Sequence, residues 1–168
     1  MTSLQAILPA TTLATVLAAV LLTQPALAAD LPEATPAPAP AANQLAAART
    51  LIESRQWAAA AAELKRVDAR HDADWNNLMG YVLRKSGNPD LTASERHYEA
   101  ALRIDPHHRN ALEYSGELYL MKSDLAKART RLAALAAECK AGCPQYNELK
   151  EAIARYRANG NKYVAQGW

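Results

Sequence analysis

The sequence predicts an all-α fold of antiparallel helix-pair repeats, two clear and one degenerate, closed by a C-terminal capping helix. Three observations predict it. Apolar residues return at helical spacing from Gln44 onward, with no proline until Pro89. One pattern of small and large residues recurs along the chain, with Gly80 and Gly116 in register. A last amphipathic stretch starts after Gly142, a residue type that ends helices, with Pro144 placed for the first turn of a new one.

Ahead of the helices, residues 1–28 hold no charged side chain, and Leu13 to Leu22 form a short apolar run followed by Gln24-Pro25-Ala26-Leu27-Ala28. An apolar run that ends in small residues reads as a signal peptide cleaved after Ala28. It is well short of the roughly 20 apolar residues that span a bilayer, so no stable membrane span is expected after cleavage. The expected location is the periplasm. Residues 29–43 follow as an Ala/Pro-rich linker, and the four prolines between positions 29 and 42 leave almost nothing to bury.

The folded part, 44–140, begins with two short amphipathic segments. Leu45, Ala48, Leu51 and Ile52 share one helical face, and Trp57, Ala60, Leu64 and Val67 share another. Segments of this length do not hold as isolated helices, so each needs a neighbour against which to bury its stripe.

The next segments repeat one another. The stretch from Asp74 to Leu83 aligns with that from Asn110 to Tyr119, so that Leu83 coincides with Tyr119 as Gly80 does with Gly116. Behind them, Ser94, Tyr98 and Ala101 align with Ala128, Leu132 and Leu135. Upstream lies the degenerate copy: Ala48 at the glycine position, Ala60 at the second small position, then Leu64 and Val67. The spacing is 32 residues from Ala48 to Gly80 and 36 from Gly80 to Gly116. The turn cluster Gly87-Asn88-Pro89-Asp90 accounts for the longer interval by extending an inter-helix loop.

This arrangement resembles the tetratricopeptide repeat (TPR) family, whose small residues let two helices approach while large ones fill the space beside them. Asp105-Pro106 stands where that family ends a repeat. The resemblance covers residues 44 to about 140, at a family period of about 34. It implies a TPR solenoid whose first helices line a concave groove that takes a peptide or helix of a protein partner. Carried onto this sequence, the groove positions are Leu45, Arg49 and Ile52, then Asp74, Asn77, Tyr81, Arg84 and Lys85, then Asn110, Glu113, Glu117, Leu120 and Met121. TPR domains that clamp the acidic tails of chaperones place Lys, Asn and Arg where this chain has Leu45, Arg49, Leu78, Asn110 and Tyr114. None matches, so that class of ligand is not expected.

Cys139 and Cys143 are expected at the end of one helix, read as Leu125 to Ala137, and at the N-cap of the next. Three roles are open to them. In an oxidising compartment they form a structural disulfide, worth about 2 kcal/mol for so short a loop. Paired thiolates also suit a soft metal, copper above all, although His71, His97, His107 and His108 are all distant in sequence. Thiol redox chemistry is the third, with a spacing that departs from C-x-x-C. No metal ligand and no cofactor are expected. Of the adjacent His107 and His108, one is expected to face solvent and the other to pack.

The capping helix is expected within 141–158. Tyr146, Leu149, Ile153 and Tyr156 make its apolar stripe, which suits a helix covering the end of a stack. Residues 159–168 read as a tail without helical pattern. Charge is balanced, with 19 Lys and Arg against 17 Asp and Glu, so no basic face for nucleic acid is expected. Nothing in the sequence pairs a nucleophile with a base or cradles a phosphate, and an enzyme is not expected. The expected function is a periplasmic interaction module for an envelope protein, with metal or thiol handling through Cys139 and Cys143 as the alternative.

Overall fold

The computed structural model describes residues 44–140 and 142–164. The expected signal peptide, the expected Ala/Pro-rich linker and Trp168 lie outside the described residues. Within them the fold is all-helical: α1 (Ala46–Glu53), α2 (Trp57–Val67), α3 (Ala73–Lys85), α4 (Leu91–Ile104), α5 (Arg109–Met121), α6 (Leu125–Glu138) and α7 (Pro144–Ala158). Each helix packs on the next, most extensively α3 on α4 and α5 on α6, and α7 packs on both α5 and α6.

The helix starts are fixed locally. Asp72, Asp90 and Asp124 each accept a hydrogen bond from a backbone N–H in the first turn of α3, α4 and α6, at 2.7, 2.8 and 3.0 Å. His108 does the same for α5 through Nδ1, with Ala111 N–H as donor at 3.2 Å. The turn cluster at 87–90 lies between α3 and α4 and ends in the capping Asp90, while α4 stops one residue before Asp105-Pro106.

Burial divides the interior into two clusters. Leu45, Ala48, Ala60, Leu64, Trp75, Leu78, Met79 and Val82 join α1, α2 and α3. Trp75 also donates its indole N–H to the Leu64 carbonyl at 2.7 Å, which pins the end of α2 to α3. The larger cluster gathers Ala101, Leu112, Tyr119, Leu120, Ala128, Leu135, Leu149, Ile153 and Tyr156 from α4 to α7. Fully burying a side chain such as Leu149 contributes about 1.5–3 kcal/mol. The α7 stripe is buried at Leu149, Ile153 and Tyr156 and half-buried at Tyr146.

The aligned glycines do not serve the same neighbour. A Cβ on Gly80 would stand 2.8 Å from the Tyr98 ring of α4, whereas one on Gly116 would stand 2.4 Å from Leu149 of α7. Gly80 lets its own pair close, and there Ser94 Oγ donates to the Gly80 carbonyl at 2.7 Å. Gly116 lets α7 lie against α5.

Between α6 and α7 the chain turns at Gly142, whose φ of +87° suits a residue without Cβ. Cys139 is the C-cap of α6 and Cys143 the N-cap of α7, and their sulfurs stand at disulfide distance.

Candidate functional site

The first helices α1, α3 and α5 carry the residues expected in a groove, and the fold separates those residues into three sets. Arg49, Asp74, Tyr81, Lys85, Asn110 and Met121 are half-buried and reach the surface. Asn77, Arg84, Glu113 and Glu117 are buried. Leu120 and Leu45 belong to the core, which corrects the expectation that they line a groove. The reason for Leu120 is position. Helix α5 is flanked by α4, α6 and α7, so it is buried on nearly every side.

Two rows of side chains cross this face. Near the helix starts, Arg49 of α1 donates to Asp74 of α3 at 2.9 Å, and His108 Nε2 donates to the same carboxylate at 3.0 Å. Because His108 Nδ1 accepts from Ala111 N–H, Nε2 is the nitrogen left to donate to Asp74. Farther along, Gln145 of α7 donates to Asn110 Oδ1 at 2.8 Å. Arg49, Asp74 and Asn110 therefore tie helices together. His107 is exposed and pairs with Glu138, so one histidine of the doublet faces solvent and the other packs, as expected.

The second row lies about two helical turns on. Arg84 of α3 and Glu117 of α5 form a buried ion pair at 2.5 Å. Burial alone would lower the affinity of the guanidinium for its proton, but the paired Glu117 carboxylate opposes it and Arg84 stays charged. Glu113, one turn before Glu117, is pushed up to about 9 by burial and then by the Glu117 carboxylate, against the pull of Arg84. At neutral pH it is an uncharged acid able to donate a hydrogen bond. The cluster thus holds one cation, one anion and one neutral acid.

Above this cluster runs an aromatic row. Trp57 meets Tyr81 with ring centroids 6.1 Å apart, and Tyr81 meets Tyr114 at 4.7 Å. The Arg84 guanidinium lies 5.6 Å from the centroids of both tyrosines, and Lys85 Nζ lies 5.9 Å from that of Tyr81. Burial raises the Tyr81 and Tyr114 phenols and lowers the Lys85 ammonium. Asn77 Oδ1 and Arg84 Nε are buried without a hydrogen-bond partner among the described residues.

Sequence reasoning missed Trp57, Tyr114 and Tyr163 as members of this face. Trp57 carried no groove signal, because it begins a second helix. Tyr114 falls outside the groove positions that the TPR resemblance implies, yet its ring lies against Tyr81. Tyr163 lies in the segment read as a tail, yet it packs against the larger cluster, and its half-buried phenol is raised by burial and by Glu117 while Arg84 pulls it down.

Among the described residues no cysteine is free, and no group of three His, Cys, Asp or Glu side chains is arranged to hold a metal ion. Among the described residues no helix is long and apolar enough to cross a membrane. The chain matches no protein-family model, no curated protein and no solved structure.

Proposed function

We propose that this chain is a periplasmic interaction module of the TPR kind, binding a peptide or helix of an envelope protein across the face made by α1, α3 and α5. The observation that carries the reading is the aromatic row Trp57, Tyr81 and Tyr114, with the buried, Glu117-paired Arg84 against Tyr81 and Tyr114 and with Lys85 at the edge of Tyr81. Half-exposed tyrosine and tryptophan offer large rigid contact area with a polar tip, and such residues dominate binding energy at protein interfaces. The buried ion pair beneath them holds the rings in one arrangement, so little ordering is left to be done on binding.

Signal cleavage after Ala28 and the periplasmic location belong to the same proposal and rest on the sequence of the first 28 residues. Cell fractionation with N-terminal sequencing tests them. For the interaction, the mature chain is cross-linked in intact envelopes and its partners are identified by mass spectrometry. Capture of a distinct envelope protein, lost in Tyr81→Ala, is the expected result. Absence of any specific capture, or capture indifferent to Tyr81→Ala, overturns the reading.

A further inference from the structure

Each successive pair of second helices, α2 with α4 and α4 with α6, leaves a cleft floored by the first helix between them. One cleft lies between α2 and α4 with α3 as its floor, and the other between α4 and α6 with α5 as its floor. They occupy equivalent places in the repeat. The sequence register that aligns Ala60 with Ser94 and Ser94 with Ala128 places Lys65 opposite Glu99, Arg96 opposite Thr130 and His97 opposite Arg131, and Leu83 matches Tyr119 on the floor.

The α4/α6 cleft is closed by charges of its own. Glu99 accepts from the Tyr119 hydroxyl at 2.8 Å and from Arg131 at 2.5 Å, while Glu95 pairs with Lys122 and, at 3.6 Å, with Lys127. Lys127 and Arg131 also lie over the Tyr119 ring, at 4.9 and 5.7 Å from its centroid. Acid stands on one wall and base on the other.

In the α2/α4 cleft every one of these elements is changed. The wall residue equivalent to Glu99 is the cation Lys65, the residue equivalent to Tyr119 is the apolar Leu83, and the opposite wall carries Arg96 and His97. Trp75, Met79, Leu83 and Ala100 make it apolar within, Lys65, Arg70 and Arg96 edge it, and its volume is about 470 Å³. No carboxylate is among its described lining residues. Of the nearby acids, Glu63 pairs with Arg66, Asp72 caps the start of α3 and Glu95 and Glu99 are engaged in the other cleft, while Asp68 pairs with Arg70 on this cleft's own edge. The positive surroundings are felt by His97, which burial, then Arg96 and Arg70, hold below the usual histidine range.

We infer that the α2/α4 cleft is a second docking site, for an acidic segment of a partner protein that inserts an apolar side chain between flanking carboxylates. The apolar floor takes the side chain, and the carboxylates supply what Glu95 and Glu99 supply in the neighbouring cleft. An anionic membrane is the poorer fit, since a flat lipid surface needs a broad basic face and the cations here are Lys65, Arg70 and Arg96 around one concave cleft, with Arg70 already paired to Asp68. This inference does not rest on the α1/α3/α5 face.

The test uses the mature chain and a short fluorescent peptide with a central leucine flanked by glutamates, read by anisotropy at low salt. Binding is expected. It should weaken about tenfold when the glutamates become glutamines, and again about tenfold in Lys65→Glu or Arg96→Glu, by loss of charge complementarity. Lys65→Glu combined with His97→Arg copies the Glu99–Arg131 pair of the α4/α6 cleft and should bind least while its thermal unfolding stays at or above wild type. Arg96→Ala, a milder change on an exposed residue, should give an intermediate loss. Tyr81→Ala should bind the peptide as wild type does, which separates this site from the first. Absence of binding, equal binding of the glutamate and glutamine peptides, or indifference to the reversals overturns the inference. So does binding of phosphatidylglycerol vesicles, lost in the same reversals, by a chain that ignores the peptide.

Discussion

Replacing Glu113 by glutamine tests the reasoning about the buried cluster most directly. The carboxyl is 3% exposed, and burial together with Glu117 pushes it up to about 9 from an ordinary value of 4.5, while Arg84 and Lys85 pull the other way and Glu148 of α7 adds to the rise. Between those two values the folded chain keeps a proton that the unfolded chain has lost. Stability therefore falls as pH rises, by about 1.4 kcal/mol per pH unit, starting near the unfolded value and levelling off only near the folded one. Glutamine has the same shape and carries no titrating proton. The difference in stability between Glu113→Gln and wild type should be small near about pH 5 and grow by about 3 kcal/mol between about pH 6 and about pH 8 in favour of the variant. Urea unfolding followed by circular dichroism at a series of pH values measures it, and every other titrating group cancels in the difference. Parallel stability curves for the two proteins would show that Glu113 is ionised in the fold and that the account of the cluster is wrong.

Three further outcomes follow from the packing. Arg84→Met should cost about 3–5 kcal/mol, because it leaves the buried Glu117 carboxylate without its partner, and the double variant Arg84→Met/Glu117→Leu should recover much of that loss in a denaturant titration. Gly80→Ala should lower stability by about 1–2 kcal/mol: crowding against the rigid, fully buried Tyr98 ring costs about 1–3 kcal/mol and outweighs the gain in helix propensity. An unchanged or raised melting temperature would refute it. Reduction of the Cys139–Cys143 bond should lower stability by about 2 kcal/mol without unfolding the chain, as read by melting with and without reductant.

The helices were legible in the sequence because their stripes repeat at short range: Leu64 four residues after Ala60, and Ile153 four after Leu149. The break at Gly142 and the placement of the cysteines at the two helix ends came from the same local rules. The site was less legible. Arg84, Glu113 and Glu117 sit on first helices where exposed groove residues were expected, and their burial depends on α7 and Tyr163 coming back over α5, which no local pattern contains. Leu120 passed for a groove residue for the same reason. Tyr163 had no signal at all, since an aromatic residue in a stretch without periodicity says nothing about what it will touch.

What the sequence determined by itself is the all-helical make-up, the order of the helices and the pairing of small residues with large ones. These follow from backbone preferences and apolar period, which act over a few residues. The tertiary structure alone decided which polar residues are buried, that equivalent glycines meet different partners, and that of two equivalent clefts one is closed by its own charges and the other is edged by cations. Those outcomes depend on distances between residues about 20 to 80 positions apart, and only packing brings such residues together.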